Sequence, residues 1–417
     1  MRTWRTWLAL CACLLAVDVV VASSSTARSP LPARSAAVIG IVGESDAVNV
    51  LHDDFALTGP LVLPAGMPRP VVVALPTSGD FASRLAALRA GPLGSPKAGT
   101  LYLVRGTRLL LYSVTGEEDF LGEDRLHATG VISSAIGRRY GTAPRAWAVH
   151  IPGVEPAGFD WLATQSAWID VASTSVYAVR SPNSSEPADT PVCLGARPVR
   201  SYIASGRLFF SSSGNTSDQP EAVVSPNGLP EVYQVGGADA AGRTWLPGHV
   251  EESDPFYAFG NVVRPYETAE LFSFQAASPD ALSGGTHFGG TSGATPRTAG
   301  RAAVLVDHAR AVLGGRASGT ALATRAPRAV APKTGPLADG RLEGGELADV
   351  LRRTARPAEA VEGPRYLVEG FGALSETTTR VAQDVLSGKT ALPLRPMDEQ
   401  FHQVSERLRA AAFSGRC

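Results

Sequence analysis

The stretch Gly290-Thr291-Ser292-Gly293-Ala294-Thr295-Pro296-Arg297-Thr298-Ala299-Gly300 offers a serine where a chain could use one as a nucleophile. Glycine and threonine just before Ser292 let the backbone approach a bound substrate, Pro296 is tolerated in a first helical turn, and the small residues that follow suit a helix packed tightly in a core. A serine placed there presents its hydroxyl at the positive end of the helix dipole, where backbone N–H groups can also face a developing oxyanion. Taken alone, the Gly/Thr/Ser-rich run from Ser283 to Gly293 reads better as a flexible loop whose serines do nothing.

Two further segments change that balance. Leu208-Phe209-Phe210-Ser211-Ser212-Ser213-Gly214-Asn215 reads as a buried apolar strand that ends in a small-residue turn with asparagine, followed by Ser225-Pro226 and the strand-like Glu231 to Gly237. Upstream, His127 opens the run Leu126 to Gly137, with Ala143-Pro144 beyond it. In this order the three segments resemble the subtilases, the subtilisin-like serine peptidases, whose serine motif reads Gly-Thr-Ser-x-Ala-x-Pro followed by a small residue and Gly. The resemblance covers roughly Ala36 to Leu386. It implies an α/β, subtilisin-like three-layer fold with a mostly parallel central sheet flanked by helices, and hydrolysis of peptide bonds through an acyl-enzyme. In that chemistry Ser292 is too weak a nucleophile alone, so His127 takes its proton and returns it to the leaving amine, and the Asn215 amide donates to the oxyanion.

The third member of such a triad departs from the family pattern, an aspartate at the end of the first core strand as Asp-Ser/Thr-Gly. Ala36 to Val42 reads as that strand and Asn49-Val50-Leu51-His52-Asp53-Asp54-Phe55 fits the end of the pattern, but Gly43-Glu44-Ser45-Asp46-Ala47-Val48 stands between them. Asp46 is the expected acid, with Glu44 a substitute of different geometry and Asp80, after the second apolar run Val71 to Leu75, a third choice. The resemblance also makes Trp168 to Ser175 the strand at the edge of the substrate groove, with Ser173 and Ser175 as substrate-binding residues; Tyr177 stands where the family keeps glycine. A nucleophile elbow of α/β-hydrolase type fails on chain order, because its acid and histidine must follow the serine, where only His308 and His402 remain.

Composition fits an exported enzyme. Of 417 residues 44% are hydrophobic, enough for a large core, and 38 Lys+Arg against 39 Asp+Glu argue against a nucleic-acid partner. The cations are nearly all arginine, which with abundant Ala, Gly, Pro and Val suggests a high-GC bacterium such as an actinomycete. Residues 1–22 resemble a secretory signal, with Arg2 and Arg5 before an apolar run from Trp7 to Val21 and a small-residue site at Ala22. The expected organisation continues with a linker over 23–35, too short for a folded propeptide, and a catalytic domain over 36–387 with a surface insertion near 316–340. A tail helix is expected within 388–417. In the exported chain Cys193 and Cys417 are expected to pair. No metal site is nominated; calcium is common in the family, but no Asp-rich loop here names ligands. No cofactor and no membrane span are expected, the partners are protein or peptide substrates, and the protein is expected to act as a monomer.

Overall fold

The computed structural model describes residues 36–57, 61–153, 156–176, 195–212, 226, 229, 231–237, 266–268, 274–356 and 372–394, all within the unit Ala33–Cys417. The expected signal and linker, Tyr177, Cys193, Asn215, Cys417 and the expected tail beyond residue 394 lie outside the described residues, and 388–394 form no helix. The strands are β1 (Val38–Glu44), β2 (Val71–Val73), β3 (Thr100–Val104), β4 (Leu109–Ser113), β5 (Trp147–Pro152), β6 (Val171–Thr174), β7 (Leu208–Ser212), β8 (Tyr233–Gly237), β9 (Tyr266–Thr268), β10 (Phe274–Ala277), β11 (Gly285–Phe288), β12 (Ala321–Thr324), β13 (Arg341–Glu343) and β14 (Ala373–Leu374). The helices are α1 (Phe81–Arg89), α2 (Leu126–Ile136), α3 (Pro156–Thr164), α4 (Ala196–Ala204), α5 (Thr291–Leu313), α6 (Gly344–Thr354) and α7 (Glu376–Leu386).

Ten strands form one sheet in the order β14-β9-β8-β7-β6-β1-β5-β4-β3-β2, parallel throughout except where β3 meets β4. The expected α/β architecture, a mostly parallel sheet between helical layers, is therefore present. β1 shows why both faces are covered. Ala37, Ile39 and Ile41 join one core with α2, α5, α6 and α7, while Val38 and Val42 join a second with α3 and α4. That is the period of two of a strand buried on both sides, and it explains why Val38–Val42 reads as an unbroken apolar run. Gly40 belongs to the second face: a Cβ there would lie 3.0 Å from Leu162, so its absence lets α3 approach the sheet.

β1 is also the switch point. The chain adds β5 on one side of it and β6 on the other, so the carboxyl ends of β1 and β6 open a crevice of the kind in which α/β folds place their sites. The apolar run Val71–Leu75 instead supplies β2 at the sheet's edge, with Val71 and Val72 exposed. The expected surface insertion near 316–340 is only partly one. Ala321-Leu322-Ala323 is fully buried and pairs through β12 with β13, and Leu337 is buried too. Alanine-rich composition hid the short strand, because Ala carries little β signal.

The opposite end of the sheet is tied by buried charge. Asp170, just before β6, accepts from the Val38 amide at 2.9 Å and pairs through both oxygens with the Arg310 guanidinium of α5, which also donates to the Leu322 carbonyl at 3.0 Å. Asp307, one turn earlier on α5, is buried; the Ala37 amide bonds to its carboxyl, but Oδ1 has no hydrogen-bond partner among the described residues. Burial pushes its carboxyl up to about 7, against the opposing pull of Arg310. A carboxyl whose proton is held more tightly folded than unfolded contributes stability at low pH, and this is lost as pH rises from the ordinary value of 3.8 through about 7. Asp307→Asn is thus expected to raise the melting temperature at pH 8 and to flatten its decline between pH 4 and 7, as differential scanning calorimetry across that range would show.

Candidate active site

The site begins where β1 ends. Pairing with β5 slips register between Val42 and Glu44, and Gly43 takes a φ of +86° that favours glycine. A Cβ at Gly43 would also press on Thr174 and Val176, each 3.1 Å away. Beyond this kink the Glu44 side chain is fully buried, with Oε2 2.7 Å from His127 Nδ1 and Oε1 accepting from the Ser175 amide at 2.8 Å. A histidine nitrogen facing a carboxylate carries the proton, so Nδ1–H donates to Glu44 and Nε2 keeps its lone pair. His127 is the second residue of α2 and about one-third exposed. Burial works against charging its ring. The Glu44 hydrogen bond and charge, with Asp124 adding, outweigh that and hold the imidazole above its usual 6.5.

Ser292 sits in the first turn of α5, entered through Gly290 at φ +71°. Its side chain is largely covered. Pro296 is not in the first turn, as the sequence suggested, because the helix starts at Thr291; it lies four residues past Ser292. Proline has no N–H, so it denies the Ser292 carbonyl its helical partner. Ser175 takes that place, its hydroxyl donating to the Ser292 carbonyl at 3.0 Å, while the Ser292 hydroxyl donates to the Ser175 carbonyl at 3.4 Å. Ser175 thereby touches Glu44 through its amide and Ser292 through its hydroxyl and carbonyl.

The β10–β11 hairpin delivers the chain to Ser292, and the motif Asn49 to Phe55 anchors it. The Asn49 side-chain amide donates to the carbonyls of Ser278 and Ala281 at 2.9 and 2.8 Å, and the Asp53 amide to that of Leu282 at 2.8 Å. His52 bridges the Asp54 amide, which donates to Nδ1 at 3.0 Å, and the Gly284 carbonyl, which accepts from Nε2 at 2.8 Å. Arg125, just before α2, pairs with Asp280 and donates to the Pro279 carbonyl. Phe288 then meets the His127 ring edge-on at 5.8 Å, lying where a side chain on Gly130 would stand: a Cβ there would be 2.5 Å from it. α2 and α5 approach closely at Gly300, where a Cβ would be 2.1 Å from Thr142 Oγ1.

Of the residues expected at the site, His127 and Ser292 stand at the starts of neighbouring helices and Asn215 lies outside the described residues. Asp46 does not reach His127. It lies two residues past the strand end, its backbone carbonyl accepting from His150 Nε2 at 3.0 Å and its half-buried carboxyl raised by burial, near Glu118 and Asp119. Glu44 takes the place expected of it. The usable signal was position, since Glu44 is the last residue of the buried apolar run, directly after a glycine. Asp80 is the N-cap of α1, exposed and accepting from the Ser83 amide at 2.8 Å. Ser173 and Ser175, at the carboxyl end of β6, are buried at 0% and 4% exposure.

Among the described residues no group of three or more His, Cys, Asp or Glu could hold a metal ion, and no helix is long and apolar enough to cross a membrane. No family model and no curated protein matches the chain. Solved structures similar to it include the prenylagaramide maturation protease PagA, at 15% identity over 84% of this chain and 94% of that one with a TM-score of 0.45. The PatG macrocyclase domain is similar at 16% identity over 85% and 92%, TM-score 0.47. The epidermin leader peptide processing serine protease EpiP from Staphylococcus aureus is similar at 12% over 87% and 78%, TM-score 0.47. Likeness this low assigns nothing to the present chain, whose chemistry has to be read from its own geometry.

That geometry makes Ser175 and Pro296 a pair. Ser175→Ala orphans the buried Ser292 carbonyl and is expected to cost about 1–3 kcal/mol in urea unfolding. Adding Pro296→Ala, which returns a helical N–H to the same carbonyl, is expected to recover most of the loss.

Proposed function

We propose that this protein is a serine endopeptidase of subtilisin type in which Ser292 is the nucleophile, His127 the general base and acid, and Glu44 the carboxylate that orients the histidine. The observation that carries the proposal is the 2.7 Å contact between Glu44 Oε2 and His127 Nδ1. It fixes the tautomer that leaves Nε2 able to accept the Ser292 proton and stabilises the imidazolium formed when it does. Attack by Ser292 Oγ on a peptide carbonyl forms a tetrahedral oxyanion. The amides of the first turn of α5 and the Asn215 side chain are the donors assigned to it. Collapse expels the amine, which takes the proton from His127, and water repeats the sequence to release the acid and restore Ser292. Peptides or proteins are the substrates, and the arginine-flanked apolar start of the chain supports export from a bacterial cell.

A catalytically weak scaffold that binds peptides is the second reading, favoured by one observation. The Ser292 hydroxyl is directed to the Ser175 carbonyl, though catalytic hydrogen bonds commonly tighten only when substrate is bound. A fluorophosphonate probe separates the two: covalent labelling lost in Ser292→Ala supports the enzyme, and absence of labelling in the unaltered protein supports the scaffold.

The acid has its own test. A base must be neutral to act, so labelling is expected to rise with pH along a limb above 6.5, since His127 is held above that value. Glu44→Gln removes the larger of the groups that raise it and leaves Asp124 and burial, so the limb is expected to move to lower pH while the rate falls by about four orders of magnitude through the wrong tautomer. Asp46→Asn is expected to leave rate and limb nearly unchanged.

A further inference from the structure

Directly behind the acid lies a histidine that the mechanism does not use. His150 is central in β5, between Ile41 of β1 and Leu111 of β4, and fully buried. Its Nε2 lies 3.0 Å from the Asp46 carbonyl, and Phe120 meets its ring edge-on at 6.3 Å. A carbonyl only accepts, so Nε2 carries the proton. Nδ1 has no hydrogen-bond partner among the described residues. A buried polar ring in an otherwise apolar strand costs stability unless its bond accomplishes something that Val or Leu would not.

The bond falls where the chain needs it. Past Glu44, the last residue paired with β5, the strand ladder has ended, and Ser45-Asp46 must still hold the turn from which a long side chain points at His127. Glutamate has one more rotatable bond than aspartate, so its carboxylate reaches a fixed point only if the backbone beneath it is fixed. The Ser45 hydroxyl makes no hydrogen bond among the described residues. The Gly153 amide holds the Glu44 carbonyl at 2.9 Å, and the next backbone tie is the Val48 amide on the Phe120 carbonyl at 3.0 Å. The middle of that span is held at Asp46, by His150 on its carbonyl and by the Asp119 amide on its carboxyl.

We propose that His150 is a positioning residue for the acid and base: by donating to the Asp46 carbonyl it fixes the turn from which Glu44 meets His127. The role rests on the peptidase reading for its consequence in rate, but not for its effect on the pair itself, which titration of His127 reports with or without catalysis. Glutamine at 150 places an amide near Nε2 and keeps the donor, whereas leucine fills similar space without one.

The experiment uses the full chain with His150→Leu and His150→Gln, following the His127 imidazole by NMR across pH and the labelling of Ser292 by a fluorophosphonate, with Glu44→Gln as the reference for a broken pair. In His150→Leu the His127 midpoint is expected to move toward that of Glu44→Gln and labelling to slow by about tenfold or more. His150→Gln is expected to restore both. An unchanged midpoint in His150→Leu overturns the proposal, as does equal loss of labelling in both variants with neither midpoint moved, which is what a merely structural residue would give. If the unaltered protein is not labelled at Ser292 the peptidase reading fails, and the His127 midpoints still decide the role of His150. Should His150→Leu not fold, His150→Asn, whose amide stops a methylene short of the carbonyl, is compared with His150→Gln on the same criteria.

Discussion

A carboxylate sealed from water is tolerable only while its oxygens are engaged, and Glu44 meets that condition with an ion-pair contact on one oxygen and a hydrogen bond on the other. One oxygen faces a ring from α2 and the other an amide from the end of β6. Loss of either leaves a buried charge uncompensated, a cost of several kcal/mol. The placement of α2 over β1, the parallel pairing of β1 with β6 and the kink at Gly43 are therefore all conditions on the same few atoms.

The helices supply the rest by approaching more closely than side chains would allow. Gly130 leaves room for Phe288 against α2, and Gly300 brings α5 against Thr142. Glycine in a helix weakens it locally by about 1 kcal/mol relative to alanine. Here that cost is offset by bringing two helix starts, one bearing His127 and the other Ser292, to one crevice. The hairpin that precedes Ser292 is tethered at its tip by Asn49, His52, Asp53 and Arg125, none of which touches the reacting atoms.

Much of this was legible in the residues. Val38 to Val42 reads as a strand buried on both faces because it is one, and His127 and Ser292 announce helix starts through the small residues around them. The acid was harder to place, since the choice between Glu44, Asp46 and Asp80 turns on where a strand kinks, a matter of register decided by β5 rather than by local sequence. Asp80 illustrates the ambiguity: a carboxylate after Ser-Gly fits a helix cap as well as a catalytic turn. The contact that Ser175 makes with Ser292 was not legible, because the two lie more than a hundred residues apart in sequence. β12 was missed because the two alanines of its four residues say little about strand or loop.

The exchange between Pro296 and Ser175 reaches beyond the energy of one hydrogen bond. A lineage that lost the proline would relieve position 175 of its need for a hydroxyl, and one that lost the hydroxyl would favour an N–H at position 296. Substitution at either site changes the selection acting on the other, so the two are inherited as one character although they lie in separate layers of the molecule. Exchanging either segment with that of a distant relative would import half of a bargain struck elsewhere, and the nucleophile's own backbone would register the mismatch.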